Sequence, residues 1–128
     1  PDESDDSYIE YELSPLDYEL PLLVTNHEGS FHGWLPWKYH GERRCRHATA
    51  VRGGEKKPGS MVTGWKAGVF IPFALMAGLG NTPPAAGTRW RANLYRIDND
   101  EDNKTQWAWA PVSGGFHDHH AFGTLEFA

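Results

Sequence analysis

Gly64-Trp65-Lys66-Ala67-Gly68-Val69-Phe70-Ile71 is the stretch that decides the fold class. Trp65, Ala67, Val69 and Ile71 fall on one side of an extended chain; Lys66, Gly68 and Phe70 fall on the other. A period of two belongs to a strand, not a helix. Pro72 follows, then Phe73-Ala74-Leu75-Met76-Ala77 and Gly78. Proline suits a first helical turn and glycine its stop, so one short helix is expected near residues 72–77.

The same period extends outward in both directions. Upstream, residues 8–13 alternate, with Ile9, Tyr11 and Leu13 opposed to Tyr8, Glu10 and Glu12. Residues 20–26 make a second strand, with Pro21 near its start, where a missing donor is tolerated. Residues 26–41 read as a loop rich in aromatics and glycine. Residues 44–51 alternate again, placing Cys45, His47, Thr49 and Val51 on one face, and residues 53–59 form a polar turn. Downstream, Pro83, Pro84 and Gly87 mark a loop. Strands are expected at 90–97, 105–109 and 122–127, with a turn-rich acidic tip at 98–103. Short alternating strands separated by turn signals indicate an all-β chain, an antiparallel sandwich of jelly-roll type. Residues 1–7 are acidic and expected to be loose, leaving 8–128 as a single domain.

Composition narrows the function classes. The chain has 128 residues and a formal net charge of -5, with Lys and Arg scattered, so no basic footprint for nucleic acid is present. No apolar run is long enough to span a bilayer. Pro1 opens directly into an acidic segment, so no secretory leader is visible, which fits a removed leader or an upstream domain. Cys45 is the single cysteine, which excludes an internal disulfide and reads as a small apolar strand residue. There is no nucleophile elbow, phosphate loop or paired-cysteine metal motif. A glycosidase needs two carboxylates facing across a cleft. Only Glu10, Glu12, Asp118 and Glu126 lie near aromatics, so a binding role is favoured over catalysis.

Six stretches together resemble the carbohydrate-binding module family 9-like domains of secreted polysaccharide-degrading proteins. They are residues 8–15 (Tyr-Ile-Glu-Tyr-Glu-Leu-Ser-Pro), 31–34 (Phe-His-Gly-Trp), 64–73, 90–96 (Trp-Arg-Ala-Asn-Leu-Tyr-Arg), 109–111 (Trp-Ala-Pro) and 122–125 (Phe-Gly-Thr-Leu). They occur in the family's order and cover nearly the whole chain. The resemblance implies a β-sandwich, a noncatalytic sugar- or polysaccharide-binding role, and a secreted or cell-surface location. Family domains usually carry further strands before the one matching residues 8–13. The resemblance therefore implies a domain lacking its N-terminal strands. The open edge at 8–13 would pair with a second copy as a homodimer, or with another polypeptide.

The candidate site residues follow from sugar chemistry. An indole packs on the C–H face of a sugar while the hydroxyls need polar partners. In the family two tryptophans can clamp a sugar, and Trp109 resembles the one before the final strand. Trp107 shares its strand face, whereas Trp65 and Trp90 sit in strong alternations and read as core. Trp34 and Trp37 flank Leu35-Pro36 in a loop, where an exposed indole either binds a ligand or folds back. Arg91, Asn93 and Tyr95 share a face, with Arg96 near the strand's end. Arg offers a planar fork of donors and Asn both a donor and an acceptor, which can select hydroxyl positions. Asp118 is a further polar candidate.

Two metal readings accompany the sugar reading. His117-Asp118-His119-His120 could supply His117, His119 and His120 to copper or zinc, with His32, His40 or His47 completing a site. An open copper site would support oxidative chemistry on polysaccharide. The acidic tip at 98–103 is a calcium candidate, because the family's domains often carry structural calcium. A third function class is a structural or assembly domain that keeps the fold without a sugar site.

Overall fold

A computed structural model describes residues 6–28, 30–99 and 104–128. It is all-β, and every paired strand is antiparallel. Strands β1 (Ser7–Leu13), β2 (Glu19–His27) and β3 (Ser30–Trp34) form one sheet in the order β1-β2-β3. Strand β4 (Arg46–Arg52) pairs with β5 (Gly64–Phe70). Strand β6 (Arg89–Ala92) pairs with β9 (Gly123–Glu126), and β7 (Tyr95–Asp98) with β8 (Thr105–Ala108).

Three expectations change in detail. The helix expected near 72–77 is a single 3-10 turn, Phe73–Met76, because Ala77 already leaves the helical region. Four residues cannot repay the cost of nucleating an α-helix, and Leu75 and Met76 are instead buried as core plugs. The loop expected at 26–41 contains β3, which hairpins back onto β2 through the left-handed Glu28 (φ 49°). The strand expected at 90–97 breaks into β6 and β7 around Asn93 and Leu94. There the Asn93 amide replaces ladder bonds: its Oδ1 accepts from Leu94 N and Ala110 N, and its Nδ2 donates to Ala110 O, all at 2.9 Å.

The first two ladders are joined by a polar hub. Glu19, at the start of β2, accepts from the Tyr11 hydroxyl (2.7 Å), the Tyr39 hydroxyl (3.0 Å) and the Arg44 guanidinium (3.1 Å). His47 of β4 approaches the Tyr11 hydroxyl at 2.6 Å. Burial alone would raise the Glu19 carboxyl, but these donors outweigh it and hold it below its ordinary range. Thr49 of β4 adds a second tie, donating to Pro15 O (2.8 Å) in the β1–β2 turn. Among the described residues the buried apolar side chains are Val24, Cys45, Leu75, Met76 and Trp90. Burial pushes the Cys45 thiol up, consistent with a packed apolar residue. Trp90 meets Phe127 edge-on at 4.7 Å and Phe73 at 6.0 Å, and its Nε1 donates to Asn81 O.

A large share of apolar surface stays in water. The chain exposes 8842 Å², against roughly 6,800 Å² for a compact monomer of this mass. Val69, Phe70 and Ile71 are exposed, so the period of two in residues 64–71 makes a strand without a buried face. The β1 edge, by contrast, is half-buried. Strand β3 is exposed along its whole length, which makes it the more accessible edge of its sheet.

Candidate functional site

The six-membered ring of Trp109 sits against Gly123 of strand β9. A Cβ added to Gly123 would sit 2.6 Å from Trp109 Cζ3 and 2.9 Å from Cη2, so only glycine lets the indole approach this backbone. Trp109 N donates to Leu94 O at 2.9 Å, and the neighbouring Ala110 is clamped by Asn93. Its backbone is therefore fixed on both sides while 53% of the residue remains open to solvent. The ring is therefore held against β9 while about half of the residue stays open to solvent.

Trp107, two residues earlier and 52% exposed, is directly cross-strand from Arg96. Paired residues of an antiparallel ladder project from the same face, so Arg96 stands beside this indole. The Arg96 guanidinium is 5.0 Å above the Trp65 ring and is hydrogen-bonded to Asp98 at 2.7 Å. Trp65 Nε1 is buried without a hydrogen-bond partner among the described residues. Trp107, Arg96 and Asp98 thus combine an open aromatic surface with a charge-paired donor and acceptor. Asp98 is the only acidic member of the 98–103 tip that lies within the described residues, and Arg96 occupies it. The rest of that calcium candidate lies outside them.

The other expected site residues are distributed elsewhere. Ala92 pairs with Gly123 and Arg91 with Thr124. Trp109 covers the Gly123 side, so Arg91 leaves this ladder on the opposite face. There its Nη1 meets His120 Nδ1 at 3.2 Å. Asn93 uses both amide hydrogens, toward Tyr95 Oη and Ala110 O, and its oxygen accepts twice. It is a scaffold that shapes the β6–β7 corner and has no valence left for a hydroxyl. Trp34 stacks on His32 with ring centroids 5.7 Å apart. Trp37, 79% exposed, overhangs a separate apolar cavity of about 240 Å³ with Ile9, Leu23, Pro36 and Leu75. Asp118 is half-buried in the turn before β9, where its charge contributes to raising the Tyr95 hydroxyl after burial itself.

The histidine loop docks on β1, a contact that the sequence order hides. His117 Nδ1 is 3.1 Å from the Tyr8 hydroxyl and 3.5 Å from Glu10, and its ring packs on Phe31 at 4.0 Å. His119, only 9% exposed, sets Nε2 3.1 Å from Asp6 Oδ1. The rings of His119 and His120 lie 4.0 Å apart. Asp6, His119 and His120 present ligand atoms all within 4.8 Å of one another, and His117 is not among them. Tyr8 meets Phe122 edge-on and Tyr95 stacks on Phe116 at 4.1 Å, which seals the loop over the sheet. Burial pushes the Glu10 carboxyl up to about 7, helped by the neighbouring Glu12 charge and a hydrogen bond with Glu12. No helix is long and apolar enough to cross a membrane among the described residues. No family model, curated protein or solved structure matches the chain.

Proposed function

We propose that this chain is a noncatalytic sugar-binding domain, of the carbohydrate-binding module family 9-like kind, serving a secreted or cell-surface polysaccharide-degrading system. The observation that carries the reading is the placement of Trp109: an indole whose six-membered ring sits against Gly123, anchored through its backbone and half open to solvent. An exposed indole fixed in this way binds a flat apolar surface with little further loss of side-chain freedom. Trp107 extends the aromatic surface by about 6–7 Å, the spacing of alternate residues in a strand. The Arg96–Asp98 pair beside it supplies a donor and an acceptor for hydroxyls while adding no net charge, which suits neutral polysaccharide over a polyanion.

A glycan panel titrated by calorimetry tests the reading, with Trp109→Ala and Trp107→Ala run in parallel. Saturable binding to a neutral oligosaccharide, weakened in both variants with their folds intact, is the expected result. Stacking of a planar ring on an aromatic side chain is worth about 1–3 kcal/mol per ring, by analogy with nucleobases. Binding to no glycan would leave the structural or assembly class as the better reading.

A further inference from the structure

We propose that Asp6, His119 and His120 form a binding site for one divalent first-row transition-metal ion such as Zn²⁺, and that the charge of Arg91 beside His120 weakens metal binding. The proposal is independent of the sugar reading. Two imidazoles and a carboxylate are a ligand set suited to zinc, copper or nickel rather than magnesium or calcium.

The geometry is already close to a coordination sphere. Ligand atoms about 2.0–2.2 Å from a tetrahedral ion are roughly 3.4 Å from one another. His119 Nε2 and Asp6 Oδ1 stand 3.1 Å apart, face to face, so a metal would sit between atoms that now share a proton. The third ligand atom lies within 4.8 Å of both. His119 and His120 are consecutive residues on a 3-10 turn whose rings project side by side at 4.0 Å. Two adjacent imidazoles repel when both are protonated and are satisfied when both donate lone pairs to a cation. His119 is buried, which removes competing water from one side of the site.

Arg91 borders the site through His120. A guanidinium only donates, so its Nη1 contact to His120 Nδ1 makes that nitrogen the acceptor and places the proton of the neutral ring on Nε2. A cationic group therefore lies directly beside one ligand of the site. The positive charge of Arg91 opposes the binding of a cation there. His117 belongs to a different cluster, with Tyr8 and Glu10, and contributes nothing to this one.

The test is titration of the full chain with ZnCl₂ by calorimetry, together with the visible spectrum of the Co²⁺ form. The expected result is one ion per chain and the absorption of a low-coordinate cobalt site with nitrogen and oxygen ligands. His120→Gln and Asp6→Asn should each weaken binding at least tenfold, His117→Gln should leave it unchanged, and Arg91→Gln should tighten it. His120 and Asp6 are exposed, so their variants keep the fold; circular dichroism checks this. Absence of saturable binding overturns the proposal. So does wild-type affinity in Asp6→Asn and His120→Gln, or an equal loss in His117→Gln. Weaker binding in Arg91→Gln overturns the role of Arg91.

Discussion

Gly123→Ala tests the placement of Trp109 without touching the tryptophan. The new methyl would start 2.6 Å from Trp109 Cζ3, 2.9 Å from Cη2 and 3.2 Å from Cε3. Ordinary carbon contacts need about 3.5–4.0 Å, so the ring must retreat by roughly 1 Å. Overpacking inside a closed core costs about 1–3 kcal/mol. Trp109 is half exposed, however, so it can tip outward, and the cost falls at the low end of that range. Replacing a strand glycine also returns about 0.4–1 kcal/mol by restricting the unfolded chain. The two effects nearly cancel, and stability should change by less than about 1 kcal/mol. Sugar affinity should not be spared, because the indole plane has moved and tilted. A fall of about tenfold, equivalent to 1.4 kcal/mol, is expected. Calorimetric titration with the best-bound oligosaccharide measures the affinity, and urea unfolding the stability. Unchanged affinity with an altered tryptophan emission would refute the reasoning, since the ring would have moved without consequence for binding.

Four further outcomes follow from the same geometry. Asn93→Ala should lower stability by about 1–2 kcal/mol, because the part-buried backbone N–H and C=O of Ala110 at the β6–β7 corner lose their bonds; urea midpoints measure it, and the ranking among sugars should not change. Arg96→Gln should compress the preference among sugars more than it lowers affinity for any one, read from the same glycan panel, because Arg96 supplies fixed donors beside Trp107. Glu10 is raised to about 7, so the folded chain binds a proton that the unfolded chain has released. Its contribution is therefore fully present below about pH 4.5 and lost as pH rises toward 7, and thermal unfolding of Glu10→Gln should be flat in that window. Glu19 is held low, so its contribution is present above the ordinary carboxylate range and lost as pH falls through its folded value. Acid unfolding below pH 4 should accordingly be blunted in Glu19→Gln, although that variant starts out less stable.

The strands were legible where alternation was long and side chains were unambiguous. Residues 8–13, 20–26, 64–71 and 122–127 all read close to the observed β1, β2, β5 and β9. One error falls where a local side-chain bond overrides the pattern. Asn93 lies in phase with Arg91 and Tyr95, and nothing in its position shows that its amide will break the strand by capturing Ala110, seventeen residues away. Strand β3 was hidden because its alternation serves no burial: every one of its residues is exposed. The Phe73–Met76 turn carried a proline start and a glycine stop, signals that mark the ends of a helical segment but not its length.

Candidate side chains could be named from the sequence, but not how the fold groups them. Arg91 and Trp109 are both sugar-like in type, yet alternation along β6 and pairing with β9 send them to opposite faces. Strand parity, which a single sequence does show, becomes informative only once the partner strand is known. The Asp6 ligand position illustrates the same limit from the other side. It is 113 residues from His119, in a segment whose composition reads only as an acidic tail. The pairing exists because Tyr8 and Phe122 pack edge-on, with Tyr8 also alongside His119, which draws the histidine loop onto β1. Aromatic packing thus decides which imidazole meets which carboxylate. It gives His117 to Glu10 and His119 to Asp6, and divides three histidines that look equivalent in sequence between two chemically different neighbourhoods.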